Sequence, residues 1–265
     1  MVTTRTLTVK QTKIDPAFQT AKAEESILSI LYTQDGLSFL VKHVQTKQVY
    51  MFGYVPKADL SATPIEDVLS AFPERPAKIV LAAAFENATL LPMEFADQNM
   101  DWTTPVLGSA ANFHSSSAAL KMHVYAAVEQ KVLDALQVEG VELKHLWLAQ
   151  MEQLKPGKGE YLWAHLFGDT VMVLAAKDGK WELANNFPCE NKEEFIYHLG
   201  NVVEQLGYDR ASLKLEISGS EAALYKEFIA PYFASISIFK PKDWAQISSA
   251  LQDWQPGDFA PLIRL

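Results

Sequence analysis

The side chains best suited to chemistry are thinly spread along this chain. The one cysteine, Cys189, follows Pro188 after an apolar run with no base near it in sequence, so a buried, inert thiol is expected. The six histidines (43, 114, 123, 145, 165 and 198) show neither HxxxH nor His/Cys spacing, so no two are set as metal ligands on one face. His123, His145 and His165 fall in segments that read as strands, where a structural role is expected. "NFHSSSAAL" places His114 beside Ser115–Ser117, but it lacks the glycines of a nucleophile elbow and reads as a polar loop. "KPGKGE" (155–160) carries Gly-Lys, yet it has no Gly four residues earlier and has Gly159 where Ser or Thr is needed, so it reads as a linker. "LEISGSEAAL" is the better candidate. A strand ends at Ser218-Gly219 and a helix starts with Ser220 as its cap, and a helix N-terminus attracts anions. A capped helix after a buried strand accounts for the same residues without a ligand.

The elements that must position these groups repeat. Residues 27–55 read as three strands (27–32, 37–44 and 48–55), with the hairpin signal Asp35-Gly36 in the first turn. A short helix opens at Pro64, and "AKIVLAAAF" (77–85) is an apolar run of the kind buried on both faces. Pro92, Pro105, Gly108 and the serines predict loops with short helical pieces over 86–120. Next come a strand ("KMHVYAAV"), a helix ("EQKVLDALQ") and a strand running into a short helix ("VELKHLWLAQM"). After the linker the rhythm restarts with strands at 161–167, 170–176 and 180–187. A helix capped by Asn191 with Glu194 three residues on is stopped by Gly207. "SLKLEISG", "SEAALYKEFIAPYF" and "SISIFKP" follow as strand, helix and strand. Residues 1–25 read as an irregular arm, and 243–265 as an irregular tail packed back on the body. Trp102, Trp244 and Trp254, in loops and tail, are candidates for an apolar contact surface.

With 265 residues, 49% of them hydrophobic, the chain can bury a core in one large domain or two small ones. The net charge of −9 and the lack of any basic cluster argue against nucleic acid as a partner. No apolar run reaches membrane-spanning length, and no secretory signal is legible. A lone cysteine suits a reducing compartment, and a cytoplasmic location is expected.

Three meandering strands feeding into βαβ crossovers, given twice, is the order of ribonuclease-H-like domains. "ILSILYTQDGLSFLV", "GDTVMVLAAKDGKWELANNF" and "EEFIYHLGNVVEQLGYD" followed by "LKLEISG" resemble domain-of-unknown-function family 3822, a family of uncharacterised bacterial proteins. The resemblance runs from about residue 20 to 245. It implies an α/β, actin-like ATPase fold: two tandem ribonuclease-H-like subdomains from a duplication, mixed sheets flanked by helices, divided as 1–154 and 155–265. It implies no known activity.

In that fold the opening hairpin turn of each half grips phosphate and metal, and needs an acidic residue, several glycines and a hydroxyl. The turns here are "YTQDGLS", with Asp35 and Gly36, and "LFGDTVM", with Gly168, Asp169 and Thr170. The Ser218-Gly219-Ser220 turn is the one that would touch adenosine. Each keeps a single glycine. The leading strands offer Ser29 and His165 where carboxylates are expected. The reading is a pseudo-ATPase: a non-catalytic binding or scaffold protein with no cofactor and a protein partner still unknown. The alternative is an ATPase or kinase-like enzyme with ATP and Mg in the cleft, Asp169 on metal and Thr170 on phosphate. A third reading, a hydrolase built on Cys189 or Ser115–Ser117, has least behind it.

Overall fold

The computed structural model describes residues 11–20, 22–72, 74–95, 103–219, 221–251 and 257–265. Trp102, Trp254 and Ser220 lie outside the described residues. In chain order the strands are β1 (Gln11–Ile14), β2 (Ser26–Thr33), β3 (Gly36–His43), β4 (Val49–Pro56), β5 (Lys78–Ala83), β6 (Ala88–Pro92), β7 (Phe113–Ser117), β8 (Met122–Ala126), β9 (Leu143–His145), β10 (Glu160–Phe167), β11 (Thr170–Lys177), β12 (Lys180–Pro188), β13 (Lys214–Gly219) and β14 (Ser235–Ile238). The helices are α1 (Pro64–Ser70), α2 (Thr103–Leu107), α3 (Gln130–Leu136), α4 (Leu146–Gln153), α5 (Lys192–Leu206), α6 (Ala222–Ile229) and α7 (Ala260–Arg264).

The first main sheet runs β1-β4-β3-β2-β5-β9 and the second β12-β11-β10-β13-β14. Apart from β1 at the edge of the first sheet, the first three strands of each sheet pair antiparallel as a meander. The fourth and fifth then join parallel beside the first. The shared order third-second-first-fourth-fifth is the tandem ribonuclease-H-like architecture expected from the sequence. Strand β1 corrects the expected irregular lead-in, because residues 11–14 pair with β4. Region 86–126 holds a third, three-stranded sheet, β6-β8-β7, where loops were expected over 86–120. Its period-two pattern was hidden because two of its inward positions are serines: Ser115 and Ser117 are buried beside Phe113, while His114 and Ser116 point out.

Strict alternation splits each central strand between two cores. In β10, Leu162, Ala164 and Leu166 face the helices α5 and α6; in β11 the same face carries Val171, Val173 and Ala175. The opposite face carries Trp163, Met172, Leu174 and Ala176, which meet Leu31, Leu40 and Phe52 of the first sheet. Between the two sheets lie α4 and α7. Six consecutive residues of α4, Leu146 to Met151, are buried, as are all five of α7. A helix buried all round shows no apolar stripe.

Polar groups tie α7 down. Gln150 Nε2 donates to Pro261 O at 2.9 Å, and Lys42 Nζ donates to Ile263 O at 3.0 Å. Burial lowers the Lys42 ammonium to about 8, helped by the charges of Lys47 and Lys78. Trp244 packs inward over the Arg264 guanidinium, which leaves it little share in an outer contact surface.

Candidate functional site

The β2–β3 and β10–β11 turns face each other at the mouth between the two sheets. Gln34 Nε2 donates to Thr170 Oγ1 at 2.7 Å, joining positions 136 apart in sequence. The Asp35 carboxylate lies on Gly168: a Cβ added there would stand 2.3 Å from Oδ2 and 2.8 Å from Oδ1. Gly168 has φ +49°, a left-handed conformation that glycine takes freely. Asp35 is held from behind, its carbonyl accepting from Lys57 N and Tyr54 Oη, each at 2.8 Å. Its carboxyl is raised above the usual range first by burial and then by the charge of Asp169, with Lys57 opposing. Asp169 anchors its own turn by accepting from Cys189 N at 2.8 Å. Asp35, Gly36, Gly168, Asp169 and Thr170 are therefore brought together at one junction.

The third turn sits beside it. Gly219 is paired with Leu166 in the β10–β13 ladder, and its N–H donates to Gly257 O at 3.0 Å, so the C-terminal segment covers it. The N-cap of α6 is Glu221, with φ +56° and no side-chain cap hydrogen bond; Ser220, the expected cap, lies outside the described residues. Gly219 has φ +103°, and a Cβ there would lie 2.0 Å from Leu166 O. Gly219→Ala therefore has to part the two central strands. It is expected to cost about 3 kcal/mol or more, measured as a fall in the urea midpoint at unchanged slope.

Behind the turns, the leading-strand positions expected to lack carboxylates are buried. Ser29 is fully buried, and its Oγ finds no partner among the described residues. His165 Nδ1 lies 2.9 Å from Ser218 Oγ, which also accepts from Trp163 Nε1 at 2.9 Å. Burial, then the charge of Arg264, lowers His165 to about 3, so its ring is neutral at physiological pH. Cys189 is buried, and burial pushes its thiol up to about 11, the opposite of an activated nucleophile. Ser115 Oγ accepts from His145 N at 3.3 Å, a structural link inside the first lobe.

Sequence spacing missed two arrangements. His114 and His123 meet across β7 and β8, Nε2 to Nδ1 at 2.6 Å, with their rings stacked. Burial and the neighbouring ring lower His114. A cross-strand pair carries no i,i+4 signal, so only the β7–β8 register reveals it. The second is the turn-to-turn contact itself.

Known proteins place this geometry. The family model described as "Protein of unknown function (DUF3822)" matches residues 130–236. A crystal structure from Bacteroides thetaiotaomicron VPI-5482, described as a protein with actin-like ATPase fold and unknown function, is similar at 16% identity and TM-score 0.70. The alignment covers 92% of this chain and 97% of that one. A chain of the PilM-PilN type IV pilus biogenesis complex is similar at 12% identity and TM-score 0.61, over 90% of this chain and 97% of that one. No curated protein matches the sequence. The fold is the actin-like ATPase fold. No helix among the described residues is long and apolar enough to cross a membrane.

Proposed function

We propose that this protein is a non-catalytic binding protein: an actin-like body of two subdomains, 1–154 and 155–265, that works by holding a partner protein in the cytoplasm. The observation that carries the reading is the closure of the two turns on each other. A triphosphate held between them has to displace the Gln34–Thr170 hydrogen bond and the Asp35 carboxylate that rests on Gly168. Where phosphate oxygens need several converging N–H groups, this junction places the Asp35 carboxylate on Gly168. One glycine per turn limits how many amides can approach. The residues present do not fit a Mg-nucleotide, and no chemical step is assigned to one. A fold neighbour found in a protein–protein complex supports a protein partner, as an analogy of fold alone.

The test is thermal unfolding with and without millimolar Mg-ATP, beside calorimetric titration. A ligand that binds the native state raises the melting temperature by mass action. The expected result is no shift and no heat of binding. A rise of several degrees, lost in Asp169→Ala, would overturn the proposal in favour of the ATPase or kinase-like alternative.

A further inference from the structure

We infer that the groove between the inserted β6-β8-β7 sheet and the second main sheet is a docking site for an acidic, extended peptide bearing apolar side chains. The inference deepens the binding-protein reading above and rests on it. The groove has a volume of about 1110 Å³ and a floor of Leu120, Met122, Met151, Leu154 and Trp181. Met93 and Met122 stand half-buried in its wall, with Met151 buried beneath them. Unbranched, polarisable thioethers adapt to the shape of an incoming partner better than branched side chains do.

Charge names the partner. The chain carries −9 overall, yet Lys121, Lys155 and Lys180 stand exposed around this groove, and none has an ion pair among the described residues. Of the two carboxylates in the lining, Glu152 is engaged by Lys144 at 3.0 Å, which leaves only Glu94 to oppose the three ammonium groups. A basic mouth over an apolar floor on an acidic protein complements Asp and Glu flanking apolar residues, and steers such a segment inward. The shape of the groove adds the extended form. The groove continues into a second cavity of about 450 Å³, with which it shares Pro92, Met122 and Trp181. That cavity lies between β6 and β12. Each of these strands is the edge of its sheet and pairs on one side only among the described residues. The two edges approach each other there, so the extended form rests on the run of the two connected cavities and not on a strand added between the sheets.

The probe is a displayed library of random dodecapeptides, selected on the full chain and screened against Lys121→Glu/Lys155→Glu/Lys180→Glu. All three positions are exposed, and none has an ion pair among the described residues, so the triple variant is expected to keep the parent melting temperature. Selected peptides are expected to be acidic and apolar. Their affinity is expected to drop about tenfold or more on the triple variant and to weaken as salt rises. With methyl-labelled methionine, they are expected to shift Met93 and Met122 while leaving the buried Met51 and Met172 in place. Peptides that bind the triple variant equally well, or that shift none of the groove methyls, overturn the groove while leaving a non-catalytic binding protein intact. Mg-ATP binding overturns that broader reading and not the groove. Co-sedimentation with phosphatidylglycerol vesicles, or self-association on sizing, that the triple variant abolishes overturns the peptide in favour of a lipid surface or a second copy.

Discussion

Acidification from pH 6.5 to 4.5 is expected to remove about 4–5 kcal/mol of this protein's stability through two histidines. His145 and His165 are fully buried, and burial holds each neutral down to about 3. In His145 a hydrogen bond between Nε2 and the Phe85 carbonyl opposes the effect of burial. In His165 the charge of Arg264 adds to it. The unfolded chain protonates the same rings near pH 6.5. Between pH 6.5 and 3 the unfolded state therefore binds more protons, and stability that is full above pH 6.5 is lost as pH falls. Each ring contributes a slope approaching 1.4 kcal/mol per pH unit, so the pair removes about 4–5 kcal/mol by pH 4.5. Domains of this kind have about 5–15 kcal/mol to lose. The raised carboxyl of Asp35 acts in the opposite direction, but it sits on an exposed turn where solvent weakens the effect.

The readout is a slope, because substitution alters the height as well. His145 is the N-cap of α4: its Nδ1 accepts from Trp147 N at 3.2 Å, so His145→Asn keeps an acceptor there. His165→Gln keeps a polar partner for Ser218. Each variant is expected to be less stable at pH 7 because it leaves space in the core. Each is also expected to lose about 1.4 kcal/mol per pH unit of acid sensitivity between pH 6 and 4, measured by urea unfolding across that range. Unchanged slopes in both variants would mean that the rings are reached by protons without unfolding.

Much of the fold was legible because local chemistry and tertiary position agree. Asp35-Gly36 and Asp178-Gly179 sit at hairpin turns, where glycine relieves the backbone. Asn191 Oδ1 accepts from Glu194 N at 2.8 Å, and Gly207 closes α5 at φ +66°. The apolar run of β5 marked it as a strand, and its last three residues, Leu81 to Ala83, are fully buried. Of the inserted sheet, β8 was legible in "KMHVYAAV", but β7 was not, because Ser115 and Ser117 occupy inward positions that the pattern expects to be apolar. Strand β1 was not legible because Gln11–Ile14, at the edge of its sheet, is mostly polar. The turns could be named as candidates from composition, since Asp, Gly and Thr are the residue types that matter there. Their closure could not. It depends on a contact between positions 136 apart, set by how α4 and α7 space the two sheets.

Arg264 ties α7 to the second sheet, and Arg264→Ala is expected to cost about 3–5 kcal/mol. The Arg264 side chain has no exposed surface. Its Nη2 pairs with the Glu216 carboxylate on β13, and its guanidinium stands 4.3 Å from the Trp163 ring and 4.7 Å from that of Phe239. Nε and Nη1 find no hydrogen-bond partner among the described residues, so the cation is only partly compensated. Truncation to alanine leaves Glu216 unpaired and a space between aromatic rings, hence the large loss. Arg264→Met/Glu216→Leu removes both charges and keeps apolar volume, so it is expected to recover parental stability or exceed it in urea unfolding. A double variant as weak as Arg264→Ala would mean that the cation–ring contacts, and not the ion pair, hold the tail. The tail and the turns are also separable. Arg264→Ala loosens the segment whose Gly257 covers Gly219, but it leaves Gln34 on Thr170. Mg-ATP is therefore expected to give no thermal shift in this variant either. A shift appearing only there would make the C-terminal segment, and not the paired turns, the barrier to nucleotide.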